Sequence, residues 1–416
     1  MSTIYAEATP PGRGGISVVR LSGPEARRIG EALAGPLPEA RRAELRSLRD
    51  GELIDRGLVI RFDQGSSFTG EDVIEFQIHG ARVVVRRLEA ALRRHGARLA
   101  EPGEFTRRGL MNGAIALSEV EALSDLLVAE SEAQRKQAMR VVSGELLRWT
   151  DSLRERLVRA GALIEVSVDF ADEEVPDEVP AEVFELLEGV RRDIQVALAG
   201  YPAAERIRAG FQVAIVGPPN AGKSSLLNRI AKRELALVSD VAGTTRDVIE
   251  LHTDLGGLAV TFLDTAGLRN TQDHVESLGV ERALDRARNA DLRIHLSDDS
   301  QPVQSLLMND DLVLRTKADL GGTGISAVSG VGIAEMLEEV RDRLSQRVAG
   351  AGVITRRRQA ECLESAAEAL DIGTNQPAEV LAETVRHASQ RLSEVVGRIA
   401  VDDYLDEIFS RFCIGK

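Results

Sequence analysis

The stretch Phe211-Gln-Val-Ala-Ile-Val-Gly217-Pro-Pro-Asn-Ala-Gly222-Lys223-Ser224-Ser225 decides the fold. A short apolar run is followed by Gly-x-x-x-x-Gly-Lys-Ser and then by a helical pattern of Leu226, Leu227 and Ile230. That order, strand then loop then helix, is the context in which the motif is a phosphate-binding P-loop. Its glycines let backbone N–H groups turn inward around phosphate oxygens, and the helix N-terminus adds the positive end of its dipole. Lys223 is placed to reach the β- and γ-phosphates, and the Ser224 hydroxyl to sit on Mg2+. An ordinary glycine turn would need neither the Lys-Ser pair nor the motifs that follow it.

Three further stretches choose the nucleotide. Gly243-Thr244-Thr245-Arg246-Asp247 follows the loop where a switch threonine, Thr245, completes the Mg2+ shell. Asp264-Thr265-Ala266-Gly267 ends an apolar run at 258–263, which puts Asp264 beside the metal and the Gly267 N–H near the γ-phosphate. Thr316-Lys317-Ala318-Asp319 follows the strand expected at 312–315. A carboxylate at Asp319 accepts both the N1–H and the N2–H of guanine; adenine would leave it unpaired at a cost of about 1–3 kcal/mol. Ser326-Ala327, expected after a short strand, closes the base pocket. Four motifs in this order predict a guanine-nucleotide switch domain.

The chain has 416 residues, enough for two to four domains with a buried core. A formal net charge of −14 argues against a general nucleic-acid coat, so any RNA contact must use a local basic patch or a basic partner. Only two cysteines occur, Cys362 and Cys413, which gives no disulfide framework and no zinc spacing and fits a reduced cytosol. With no signal peptide and no apolar run long enough to span a bilayer, the expectation is a soluble, cytoplasmic protein without membrane contact.

Taken in order, residues 1 to 115 read as mixed α/β, with strands at 16–21, 53–62 and 73–78 and helices near 24–34 and 81–95. From 117 the period becomes helical and stays so almost to 168, with Ser118 and Glu121 as a capping box at its start and a break at Ser143-Gly144. The run from Asp169 is acidic and proline-punctuated, hence a loop. A helix is expected at 181–199, the switch domain from Gly210, and a hairpin from 248–255 and 258–263 around Gly256-Gly257. The domain is lean: the span between the strands near 292–296 and 312 is close to the minimum for a parallel crossover, and 319–325 leaves no room for a full helix. From about 355 the chain is helical again, with Leu381, Val385, Leu392, Val395 and Ile399 in a stripe. A switch module between two helical stretches predicts that those stretches pack into one domain.

Ala8-Thr-Pro-Pro-Gly-Arg-Gly-Gly15, Phe68-Thr-Gly-Glu-Asp72, Pro102-Gly-Glu-Phe-Thr106, the four switch motifs, Arg356-Arg-Arg358 and the terminal Phe412-Cys-Ile-Gly-Lys416 together resemble the MnmE (TrmE) family of bacterial tRNA modification GTPases, along the whole chain. The fold class this implies is α/β plus α. An N-terminal α+β folate-binding and dimerisation domain (1–115) is followed by a helical domain (116–208 and 348–416). A trimmed Ras-like P-loop GTPase domain (209–347) is inserted into it. The resemblance also implies a homodimer that works with the flavoprotein MnmG on tRNA, placing a carboxymethylaminomethyl group on C5 of the wobble uridine of certain tRNAs.

Residue by residue, the resemblance puts formyl-tetrahydrofolate contacts on Arg20, Glu75 and Lys416. A further family contact, usually lysine, falls on Ala114. Cys413 falls near that pocket; a lone cysteine at an apolar helix end packs more often than it attacks, and it carries no committed role. The GTP contacts fall on Asn220, Ala221, Gly222, Lys223, Ser224 and Ser225, on Ser239, Asp240, Val241, Ala242, Gly243, Thr244 and Thr245, on Asp264, Thr265, Ala266 and Gly267, and on Thr316, Lys317, Asp319, Ser326 and Ala327. Asn220 would hold a potassium ion with oxygens of Ser239, Val241 and Thr244. Thr316 stands where the family has asparagine, and a hydroxyl makes fewer bonds than a carboxamide.

Many small GTPases orient the attacking water with a glutamine directly after Asp-x-x-Gly, but here that residue is Leu268. Spacing alone divides evenly between a solvated acid and a catalytic role for Glu276; the resemblance assigns it the catalysis. Arg246 and Arg269 are the competing sources of positive charge. Two other functions compete. A ribosome-assembly or RNA-binding GTPase would need an RNA module such as a KH domain with its Gly-x-x-Gly clamp. A folate enzyme with a vestigial GTPase would not keep Lys223, Ser224, Thr245 and Asp264.

Overall fold

Residues Ile16–Ser22 (β2) and Val73–His79 (β5) pair antiparallel, and their alternation buries Val19, Leu21, Ile74, Phe76 and Ile78 on one face. The structure is a computed structural model, and it describes residues 2–169, 179–232, 250–264, 284–321, 323–373, 376–397 and 415. Ile4–Glu7 (β1), Ala43–Asp50 (β3), Glu52–Phe62 (β4) and Arg98–Leu99 (β6) complete a six-stranded sheet in the order β3-β4-β5-β2-β1-β6. Helices Ala26–Ala34 (α1) and Arg82–Arg94 (α2) lay Ile29, Leu33, Val85, Leu88 and Leu92 on that buried face. Strands β2, β4 and β5 and both helices stand where the periodicity put them. Strand β1 is too short to alternate visibly, and β3 is an edge strand with one buried residue, Leu48, so neither is apparent from the sequence.

The chain divides into two compact units, residues 1–124 with 396–416, and residues 125–395. Helices Glu104–Met111 (α3) and Leu117–Leu127 (α4) follow the first sheet. The expected capping box at Ser118 is not formed. The helix already begins at Leu117, Glu119 Oε2 accepts from the Ala116 N–H at 2.7 Å, and the buried Ser118 hydroxyl finds no partner among the described residues. The helical run also breaks at Ser131, whose side chain accepts from the Gln134 N–H and makes a true capping box for Glu132–Val142 (α5). The break at Ser143-Gly144 is present, Gly144 taking φ +80° before Glu145–Asp169 (α6).

Helix α7 spans Ala181–Ala209, well beyond the expected end at 199. Pro202 removes one N–H from its interior, a change that usually stops or kinks a helix. Helix α5 braces the turns beyond the proline: Gln137 Nε2 donates to Ala204 O at 2.9 Å and Gln134 Nε2 to Arg208 O at 3.2 Å. Gly200 is fixed by close approach, since a Cβ there would lie 2.6 Å from Gly350 O. Arg357–Ala369 (α10) packs on α7, and in Ala378–Val396 (α11) Leu381, Val385, Leu392 and Val395 are buried as expected; Ile399 lies outside the described residues.

Within the second unit a five-stranded sheet runs β11-β10-β7-β9-β8, from Phe211–Val216 (β7), Glu250–Leu255 (β8), Leu258–Asp264 (β9), Leu292–Ser297 (β10) and Leu312–Arg315 (β11). All neighbours are parallel except the β8–β9 hairpin. Gly256 and Gly257 both have positive φ, the backbone that a two-residue hairpin turn requires. Helices Lys223–Ala231 (α8) and Ile333–Arg347 (α9) cover the core around Ile215, Phe262 and Ile294.

The lean crossover between β10 and β11 contains only a 3-10 turn, Gln304–Leu306. A buried ionic cluster stands beside it. Arg293 donates to Asp311 at 2.9 Å, and His295 Nδ1 accepts from the Val303 N–H at 3.1 Å while its Nε2 faces Asp311 at 3.1 Å. The short strand expected before Ser326 is absent; Ile325 instead bonds through its N–H to Arg315 O and through its carbonyl to the Ala318 N–H.

Candidate functional site

The loop after β7 is shaped by close packing and by left-handed backbone. A Cβ on Gly217 would lie 2.2 Å from Leu296 O, so only glycine lets the loop leave the sheet there. Asn220 and Gly222 take φ +64° and +92°, and Ala221 is buried beneath the turn with its N–H on Pro218 O. Lys223 opens α8, and its ammonium donates to Gly217 O at 2.8 Å and Pro218 O at 3.0 Å. Burial pushes its pKa down while Asp264 pulls it back, so the lysine sits where an anion would gain most from it. Ser225 is exposed two positions further along the helix.

Adjacent parallel strands bring the second motif to the first. Ile215 on β7 is in register with Asp264 on β9, and Ser224 Oγ donates to Asp264 Oδ2 at 2.6 Å. Asp264 is buried. A hydroxyl and a carboxylate are hard oxygen donors of the kind Mg2+ prefers, so this pair fits the ion that a nucleotide triphosphate brings.

At the other end of the sheet, the carboxylate of Asp319 accepts from Ser326 Oγ at 2.5 Å, and Ser326 Oγ accepts from the Ser329 N–H at 3.1 Å. Ala327 is half-buried beside it. Lys317, in left-handed backbone at φ +63°, reaches Asp298 at 3.2 Å, a partner that sequence reading did not identify. The Thr316 N–H donates to Ser297 O at 2.8 Å, but its buried hydroxyl has no hydrogen-bond partner among the described residues.

Ser239, Asp240, Val241, Ala242, Gly243, Thr244, Thr245, Thr265, Ala266, Gly267 and Glu276 lie outside the described residues, as do Arg246, Leu268, Arg269, Cys413 and Lys416. Of the expected potassium ligands only Asn220 is described, exposed at the loop tip.

In the first unit, Arg20 and Glu75 are directly opposed across β2 and β5 and bonded at 2.9 Å, each half-buried on the face away from the main core. Two aromatic rings flank the guanidinium, Phe105 at 5.7 Å and Phe68 at 6.0 Å. Both rings come from motifs already quoted, but the motifs alone do not say that they meet at Arg20. A second ionic group joins the same two motifs: Arg108 donates to Glu71 at 3.0 Å and to Glu104 at 2.8 Å, and Ser22 Oγ donates to Glu71 at 2.8 Å. Burial would raise the Glu104 pKa, but bonds from Arg98, the Glu101 N–H and Arg108 outweigh it and hold the carboxyl at about 2. Ala114 stands near Gly70, whose added Cβ would lie 3.5 Å from the alanine methyl. Gly415 packs on the end of β1, where a Cβ would lie 2.5 Å from Glu7 O.

A P-loop closed by Ser224 and Asp264, with a seated carboxylate at Asp319 in the turn after the edge strand of the same sheet, defines a GTP hydrolase of the P-loop class. Comparison with known proteins narrows this. Residues 3–114 match the family model described as the GTP-binding protein TrmE N-terminus, and residues 117–413 match the MnmE helical domain. The chain belongs to the MnmE (TrmE) family of tRNA modification GTPases. It is 60% identical to tRNA modification GTPase MnmE of Paracoccus denitrificans (strain Pd 1222), with 100% of each chain covered. It is 51% identical to tRNA modification GTPase MnmE of Cereibacter sphaeroides (strain ATCC 17025 / ATH 2.4.3) and 49% identical to that of Roseobacter denitrificans (strain ATCC 33942 / OCh 114), again over 100% of each chain.

Proposed function

We propose that this GTPase hydrolyses GTP in a potassium-dependent way and, as a cytoplasmic homodimer joined to the MnmG flavoprotein, helps place a carboxymethylaminomethyl group on C5 of the wobble uridine of certain tRNAs. The one-carbon donor in this reading is 5-formyl-tetrahydrofolate or a related folate. The observation that carries it is the meeting of Ser224 with Asp264 in a chain whose whole length matches tRNA modification GTPases. Domains at 1–115, 116–208 with 348–416, and 209–347 belong to the same reading.

Each residue has a definite task. Lys223 and the loop N–H groups bind phosphate oxygens, Ser224 with Thr245 ligates Mg2+, and Asp319 accepts from guanine. Mg2+, when bound, neutralises charge developing between the β- and γ-phosphates. Asn220, with Ser239, Val241 and Thr244, would hold potassium, and Glu276 would accept a proton from the attacking water or orient it. Arg20 and Glu75 offer a folate one donor group and one acceptor group, with Phe105 and Phe68 supplying flat apolar faces. Hydrolysis in potassium and in sodium tests the chemistry. Potassium should stimulate and sodium should not, and Glu276→Ala should bind GTP normally yet turn over at least about tenfold more slowly, a loss of about 1.4 kcal/mol or more. Equal rates in both salts, with Arg246→Ala inactive instead, would replace the ion by an arginine.

A further inference from the structure

The charge of this protein is unevenly distributed. Against a net charge of −14 for the whole chain, residues 1–115 contain eighteen arginines and no lysine beside fifteen carboxylates. Most of the arginines on other helices are neutralised locally. Arg135, Arg343, Arg357 and Arg391, for example, each pair with a glutamate three or four residues away.

Helix α2 departs from that pattern. It carries five arginines and one carboxylate, Glu89. Arg82, Arg86 and Arg93 are exposed, and the structure gives them no hydrogen bond or salt bridge among the described residues; Glu89, three residues from Arg86 and four from Arg93, is the one carboxylate on the helix and offsets part of the charge of both. At 100° per residue the three fall within about 40° of one another, in a line of about 16 Å along the helix axis. Arg82 and Arg86 are like charges four residues apart, an arrangement that weakens a helix by a few tenths of a kcal/mol. The loop that carries the exposed Arg13 is tied to the start of this helix, since the Gly14 N–H donates to Gly80 O at 3.2 Å and a Cβ on Gly80 would lie 2.5 Å from Gly14 O. The one large apolar side chain exposed on α2 is Val83; no exposed aromatic anchor of the kind that centres a protein–protein interface is present there.

From this line of excess positive charge on α2, five arginines against Glu89, we infer that the N-terminal unit holds the sugar–phosphate backbone of the tRNA substrate. The inference rests on the tRNA-modifying role of the family. A guanidinium fork matches phosphate oxygens two at a time and is always charged, which suits a row of arginines to a row of phosphates. A local basic line also resolves how a chain of −14 approaches a polyanion.

The test uses the full chain, a labelled unmodified tRNA transcript, and filter binding from about 50 to about 200 mM salt. Replacing the three residues together (Arg82→Gln, Arg86→Gln, Arg93→Gln) should lower affinity at least about tenfold and reduce the slope of log K against log salt by about 2 to 3. GTP hydrolysis without RNA and the mass by light scattering should be unchanged, and an Arg135→Gln, Arg343→Gln control should bind tRNA like the wild type. Unchanged affinity and slope in the triple variant would overturn the assignment while leaving the family role intact. A changed mass with unchanged RNA binding would make the face a protein interface and overturn it too. If the wild type binds no tRNA at any salt, both this surface and direct tRNA contact by this subunit fall.

Discussion

Ser224 and Asp264 lie 40 residues apart, and the hydroxyl of the first donates to the carboxylate of the second at 2.6 Å. The bond ties the first turn of α8 to the end of β9 and brings together the two motifs that would hold a nucleotide's metal. Ser224→Ala should therefore lose Mg2+-dependent turnover by at least about tenfold, with a raised Mg2+ requirement, while the fold persists. Wild-type kcat and Mg2+ dependence in that variant would remove Ser224 from the metal site.

The base end makes a separate prediction. Asp319→Asn should shift preference from GTP towards XTP, because xanthine offers an acceptor where guanine offers its amine. Thr316→Asn should tighten GDP binding several-fold, since a carboxamide can make more hydrogen bonds than the threonine hydroxyl, which finds no partner among the described residues. Competition binding with GDP, GTP and XTP measures both. Unchanged preference in the Asp319 variant would show that another group reads the base.

For the folate reading, titration calorimetry with 5-formyl-tetrahydrofolate should give binding that Arg20→Ala abolishes. The ring of Phe105 would stay in place, packed in a buried cluster with Ile4, Ala6 and Ala100. Ala114→Lys, which restores the usual family residue, should strengthen binding. No heat with the wild type would mean that the alanine has removed the site.

Acid should expose the cost of the N-terminal ionic group. The Glu104 carboxyl is held at about 2 against an ordinary 4.5, so the folded state favours its charged form. A depressed carboxyl contributes stability in full above about pH 4.5 and loses it as pH falls towards 2, an effect of at most about 3 kcal/mol. Thermal unfolding of the full chain should show a gap between wild type and Glu104→Gln near pH 6 that narrows as pH falls below about 4. A gap that stays constant with pH would assign the effect to packing.

Much of this was legible in the sequence because the motifs carry their own backbone requirements. Gly217, Gly222 and Lys223 dictate a loop with little freedom, alternation located β2 and β5, and a short apolar run located β7. What stayed hidden depends on contacts between distant segments. Helix α7 continues past Pro202, and Gln134 and Gln137 on α5 bond to its far end, contacts that no local propensity records. The Ser118 capping box was misread because Leu117 already belongs to the helix, and the box formed instead at Ser131. The Arg20 site was half visible: the charges could be named, but the rings around the guanidinium are brought there by tertiary packing.

The most direct measurement is mass spectrometry of wobble uridines in tRNA from a strain lacking this protein, complemented by the wild type or by Asp264→Asn. The carboxymethylaminomethyl group should be absent from the deletion strain, restored by the wild type, and not restored by the variant. Full modification in the deletion strain would rule out this function.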